Sequence, residues 1–144
     1  MSAMLASDSL FVVTTPDYPT LSCSLRAAKL AKQRGKLIAG IIINKVREPR
    51  YELNLKEIEG SIGIPVVARI PDDKNNAGAL FMRIPTSIYN RRCKFAKEIG
   101  KLSSALVGVK ERRSLFGKVF GTNFRREEVN RQVLKESFYS RRFR

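Results

Sequence analysis

The sequence predicts an α/β fold built on a parallel sheet flanked by helices, and three observations predict it. Short apolar, β-branched runs at Leu10–Val13, Leu37–Ile43 and Val66–Ala68 are each followed by a stretch of helical character. Each run closes on a turn signal: Thr14-Thr15-Pro16, Asn44 and Pro71. The middle run, LIAGIII, is apolar throughout, as in a strand covered on both faces. Strands alternating with helices in this way form layers with right-handed crossovers.

Each element has a local cause. After Leu10–Val13, Pro19 stands where a first helical turn begins. Apolar residues then recur at Leu21, Leu25, Ala28 and Leu30-Ala31, with Arg26, Lys29, Lys32 and Arg34 between them, until Gly35 stops the helix. Asn54 and Glu57 have the spacing of a capping box and open a helix to about Ile62, stopped by Gly63. A polar loop at Asp72–Asn76 leads to a short helix over Ala77–Met82. A longer helix is expected from about Thr86 to Val107, after Pro85. Three strands leave an edge unpaired, and the most apolar of them is expected to lack a neighbour on one side. The sheet therefore reads as part of a larger one, completed by an upstream segment or by another chain.

The composition restricts the chemistry. The 144 residues are enough for one core and carry a net charge of +15. Such an excess fits anionic partners (nucleotide phosphates, nucleic acid or an anionic membrane surface) or a solvated basic surface. Residues 1–108 hold 17 basic and 9 acidic residues, and residues 109–144 hold 11 and 4. The chain divides accordingly into a domain at 1–108 and a basic amphipathic tail at 109–144. There is no histidine, and the two cysteines, Cys23 and Cys93, lack metal-type spacing. No catalytic residue and no metal ligand is assigned. Two free thiols suit a reducing cytoplasm.

Open parallel sheets bind ligands at the C-terminal ends of their strands. Here those ends are Thr14–Asp17, Asn44-Lys45 and Pro71–Asp73. The Asn44 side chain offers a donor and an acceptor that match a purine edge, or it only turns the chain at a strand end. Arg47 stands where the guanine-reading Asn-Lys-x-Asp motif has its carboxylate, so adenine is the better guess. The phosphate side is missing. A P-loop requires Gly-x-x-x-x-Gly-Lys-Ser/Thr. The three Gly-Lys pairs here are followed by Leu37, Leu102 and Val119, and Leu30, Phe95 and Arg112 stand where the first glycine belongs.

Val12–Asp17, Ile41–Lys45, Gly63–Val66 and Ile70–Asp73, taken in order, resemble the MinD/ParA-like P-loop ATPase family. The family pattern is a V-T-x-P-E strand end, an I-x-N-R/K strand end and a G-x-P…I-P-x-D segment. Arg83-Ile84-Pro85 stands where the family has Gly-x-Pro or similar. The resemblance implies the C-terminal half of a P-loop NTPase-type fold, with the P-loop and a metal-side aspartate upstream. It implies ATP as the nucleotide, with magnesium only when that half is present, and no other small-molecule substrate. It places Asn44 against adenine, Pro71 and Asp72 beside the base and ribose, and Asp17 near a dimer or switch face. It implies a homodimer or an upstream half-domain as partner, and a positioning role of the cell-division or partition type. Pro19 and Cys23 depart from the Ser and acidic residue usual in MinD proteins.

In the tail, Leu115, Phe116, Val119 and Phe120 share one face of a helix capped by Ser114, flanked by Arg112, Arg113 and Lys118. The segment is similar to the C-terminal membrane-targeting helix of MinD, which implies peripheral contact with the inner face of the membrane. The alternative is a segment that folds back on the domain. Partial burial gives about 1 kcal/mol per apolar side chain. Each nearby cation adds about 1 kcal/mol more. One such tail binds weakly, and stable binding needs two. Thr122–Arg144 sets Phe124, Phe138, Tyr139 and Phe143 among arginines, either to stack on bases or to anchor a loose segment. The rival function is a non-enzymatic basic adaptor for nucleic acid or a protein.

Overall fold

The computed structural model describes residues 4, 6–48, 50–109 and 125–142. It contains a three-stranded parallel sheet in the order β1-β2-β3, formed by Leu10–Thr14, Ile38–Val46 and Val66–Pro71. The apolar run at 37–43 is the central strand, paired on both sides. It does not lack a neighbour, because β1 and β3 take its two edges.

Helix α1 (Tyr18–Gln33) starts at Asp17, whose carboxylate accepts from the Thr20 amide at 2.9 Å, and Pro19 lies in its first turn. Helix α2 (Leu55–Ile62) has the expected reciprocal capping box between Asn54 and Glu57 and ends at Gly63 in the left-handed region, φ 64°. Both helices cover one face of the sheet, where Leu21, Ala28, Ile41, Ile43, Ile58, Ile62, Ile64 and Val66 form one cluster. Complete burial of a side chain such as Ile58 contributes about 2 kcal/mol. Gly40 allows β2 and β3 to approach closely, since a Cβ there would stand 2.7 Å from Val67 Cγ1.

After β3 come α3 (Asn75–Phe81), α4 (Thr86–Tyr89) and α5 (Lys94–Val107). The long helix expected from Thr86 is therefore broken. Asn90 is extended, and its side chain bonds outward to Asn75 Oδ1 (3.1 Å) and the Arg92 amide (3.0 Å). Cys93 Sγ then caps the new helix by accepting from the Ala96 amide. Local side-chain bonds here compete successfully with helix continuation.

Within the segment read as a tail, α6 (Arg126–Arg142) returns to the sheet. Leu134 and Phe138 join Val67, Ile70, Leu102 and Phe11 in the cluster on the opposite face. The N-terminal half of α6 closes the β3 edge with polar groups. Asn130 Nδ2 donates to the Val66 carbonyl and to Glu59 Oε1, both at 2.8 Å. Glu59 Oε1 also accepts from the Val66 amide at 2.9 Å. Arg131 donates to the Val67 carbonyl and to Glu98, both at 3.2 Å. Arg126 pairs with Glu59 at 2.6 Å. Phe138 is packed and Arg126 and Arg131 are paired, so these three are not free to stack on or bind nucleic acid. Among the described residues, no helix is long and apolar enough to cross a membrane.

Candidate functional site

Parallel strands share one C-terminal rim, and there the structure brings Asn44, Pro71 and Asp72 into one open cleft of about 400 Å³. Lys45, Asn76, Leu80, Ile84, Pro85 and Phe95 complete much of its wall. The volume suits a small organic ligand, with apolar walls and a few polar groups. Strand β2 does not stop at Asn44. It continues to Val46 through an irregularity in its pairing with β3, and Lys45 takes a left-handed φ of 55°. The irregularity coincides with a side-chain bond, since Asn44 Oδ1 accepts from the Lys45 amide at 2.9 Å. Its Nδ2 group has no partner among the described residues.

Asp72 is held by Arg47, whose Nε lies 2.6 Å from Oδ2 across the ends of β2 and β3. The residue that replaces the guanine-reading carboxylate thus becomes a partner for the rim aspartate. Asp73 does not line this cleft. Its carboxylate accepts from the Asn75 amide (3.0 Å), the Asn75 side chain (2.5 Å) and the Phe95 amide (3.4 Å). These bonds, the Asn75 amide first, hold its carboxyl down at about 2. The resulting ordering of the loop is complete above the ordinary value of 3.8 and is lost as pH falls through about 2. Asp17 also lies outside the cleft. The Thr15 hydroxyl donates to it, and with the Thr20 amide this lowers its carboxyl below the usual range. Asp17 serves as a helix cap.

One cleft residue is not evident from the sequence. Asn76 Oδ1 is buried and has no hydrogen-bond partner among the described residues. A buried acceptor without a partner is costly. Its only sequence signal was membership of the polar loop after β3. Asn44 and Asn76 both line the cleft, where the Asn44 Nδ2 group is a free donor, while Asn76 Oδ1 is buried beneath its wall. The Asn44 donor fits the ring nitrogens of adenine, which accept. No group of three or more acidic or cysteine side chains placed for a metal occurs among the described residues. Leu115, Phe116, Val119, Phe120, Arg112, Arg113 and Lys118 lie outside the described residues.

A three-stranded parallel layer with its cleft at the strand ends places the chain among the open α/β sheets, whose ligand crevice lies at that rim. The family model described as an AAA domain matches residues 1–78, and the chain belongs to that family. Within it the chain is related to the MinD/ParA-like P-loop ATPases. It is 30% identical over 108 residues to an uncharacterised ATP-binding protein of Methanocaldococcus jannaschii, covering 75% of this chain and 41% of the relative. The cell division ATPase MinD of Pyrococcus furiosus superposes with a TM-score of 0.60 at 26% identity, over 67% of this chain and 41% of that one. A ParA family ATPase from Chlorobium tepidum gives 0.59 at 28% identity, over 67% and 40%. The chain spans about two fifths of the length of these relatives.

Proposed function

We propose that this chain forms the base- and ribose-binding side of a MinD/ParA-type ATPase with a spatial-positioning role. The observation that carries the reading is the free Asn44 donor brought together with Pro71 and Asp72 in one cleft at the strand ends. Adenine seats against Asn44, and Pro71 and Asp72 border the base and ribose. The sequence contains no P-loop motif. The triphosphate and its magnesium are therefore held by residues outside these 144, contributed by an upstream half or a second chain. ATP supplies the energy of phosphoanhydride cleavage, and this chain supplies recognition of the base. Asp17 fits a dimer or switch face only by way of α1, whose first turn it fixes.

Titration of adenosine into the chain, followed by amide NMR shifts, tests the reading. Shifts at Asn44, Asp72 and Asn76, lost in Asn44→Ala and weaker with guanosine, are the expected result. No response at millimolar adenosine, or equal response to guanosine, overturns it.

Peripheral association with an anionic membrane through Leu115, Phe116, Val119 and Phe120, aided by Arg112, Arg113 and Lys118, belongs to the same proposal. Deleting residues 109–144 is a poor test, because α6 is part of the packed fold. Phe116→Ser with Phe120→Ser is the better variant, with reduced sedimentation on anionic vesicles expected.

A further inference from the structure

The segment from Lys74 to Lys97 contains six cations and no acidic residue. Lys74, Arg83, Arg91, Arg92, Lys94 and Lys97 are all exposed, and none has an ion-pair partner among the described residues. Four of them line an open cavity of about 530 Å³ beside the base cleft: Lys74, Arg92, Lys94 and Lys97. The two carboxylates at that cavity are already engaged, Asp72 by Arg47 and Asp73 by Asn75 and the Phe95 amide. Four cations there face one carboxylate, Asp73, that no arginine or lysine pairs, so the cavity keeps an excess of positive charge.

The same segment exposes large apolar side chains. Leu80, Phe81, Met82 and Ile88 are 80%, 86%, 59% and 61% exposed. They sit on the elbow between α3 and α4, which is firmly built. Ala79 is buried beneath it, and the Tyr89 hydroxyl packs against Gly78 so closely that a Cβ on Gly78 would stand 2.8 Å away. The turn holds Arg83 at φ 55°, a conformation disfavoured for any residue with a side chain. A cation occupies a position where glycine would sit without strain.

We propose that the α3–α4 elbow is an anionic-lipid contact surface, separate from the tail. Phe81, Met82 and Ile88 enter the boundary between headgroups and acyl chains, and the surrounding cations take the lipid phosphates. Protruding apolar side chains on a segment rich in unpaired cations are what interfacial binding uses. The inference does not rest on the nucleotide reading, since Phe81, Met82 and Ile88 do not line the base cleft.

The chain contains no tryptophan, so Phe81→Trp in the full chain gives a single reporter. On vesicles of phosphatidylcholine and phosphatidylglycerol its emission is expected to shift to the blue, with quenching by brominated acyl chains. Phe81→Ser with Ile88→Ser should abolish elbow contact while adenosine binding is unchanged. Arg83→Gly should weaken vesicle binding roughly fivefold, the effect of one cation near an anionic surface, while raising thermal stability. Unshifted emission from the Phe81→Trp variant, on vesicles that sediment the chain, overturns the proposal and leaves the tail as the membrane contact. Absence of any vesicle binding, with the same reporter responding instead to an added protein, also overturns it in favour of a protein partner.

Discussion

Helices α1 and α2 cover their face of the sheet with Leu21, Ala28, Ile58 and Ile62, whereas α6 closes the β3 edge with Asn130, Arg131 and Arg126. The first closure is non-directional and depends on how much apolar surface leaves water. The second depends on every partner being present. Asn130 and Arg131 satisfy edge carbonyls, and Glu59 and Glu98 compensate the two arginines. An exposed strand edge invites pairing with other chains, and side-chain caps on its backbone groups remove that invitation. Apolar seals tolerate gradual damage, and polar seals fail when one member is lost.

The largest expected effect lies on the apolar side. Ile58 is fully buried between α2 and the sheet, and Ile58→Ala should cost about 3 kcal/mol in urea unfolding. All probes should report one transition. A loss below about 1 kcal/mol would show that α2 contributes little to the core.

Next comes the polar side. Arg131→Ala leaves the Val67 carbonyl without that donor and Glu98 half-buried with only Lys101 beside it. The expected cost is about 2 kcal/mol, below the range for fully buried pairs. Amide exchange should localise it, with α6 amides exchanging faster while those of β2 hold. Raising the salt should loosen α6 in the same way, because the Arg126–Glu59 pair is partly exposed. Arg131→Met with Glu98→Leu should recover most of the loss, since an apolar pair can replace a buried ionic one. Equal acceleration across all elements would dissolve the distinction between the two seals.

That distinction also explains what the sequence disclosed. Strands β1 to β3, the Asn54 box and the stops at Gly35 and Gly63 follow from apolar runs, caps and glycines that act locally. That Asn44, Pro71 and Asp72 come together was legible because strand ends in a parallel sheet must share a rim. Helix α6 was not legible. It docks through Asn130, Arg131 and Arg126, and such residues in a sequence look like any solvated surface. Asn76 was hidden for a related reason. Its burial arises only in the folded chain, and nothing near it in the sequence marks it. The break at Asn90 depends on Asn75, fifteen residues earlier.

The smallest effect makes the sharpest comparison, because it sets two adjacent glutamates of α6 against each other. Glu127 is 6% exposed and faces Arg69 of β3 at 3.7 Å. Glu128 is only half-buried and reaches Lys101 only at 4.0 Å. Glutamine keeps the shape of either side chain and removes its charge. Glu128→Gln should leave stability within about 0.5 kcal/mol of the parent, as exposed pairs do. Glu127→Gln strips the compensating charge from Arg69 at a covered site and should cost about 1 kcal/mol. The order of the two losses reports which side of α6 meets the sheet. If Glu128→Gln proves the more damaging, α6 is rotated from the orientation that brings Asn130 and Arg131 to the edge, and the polar seal of β3 has to be redrawn.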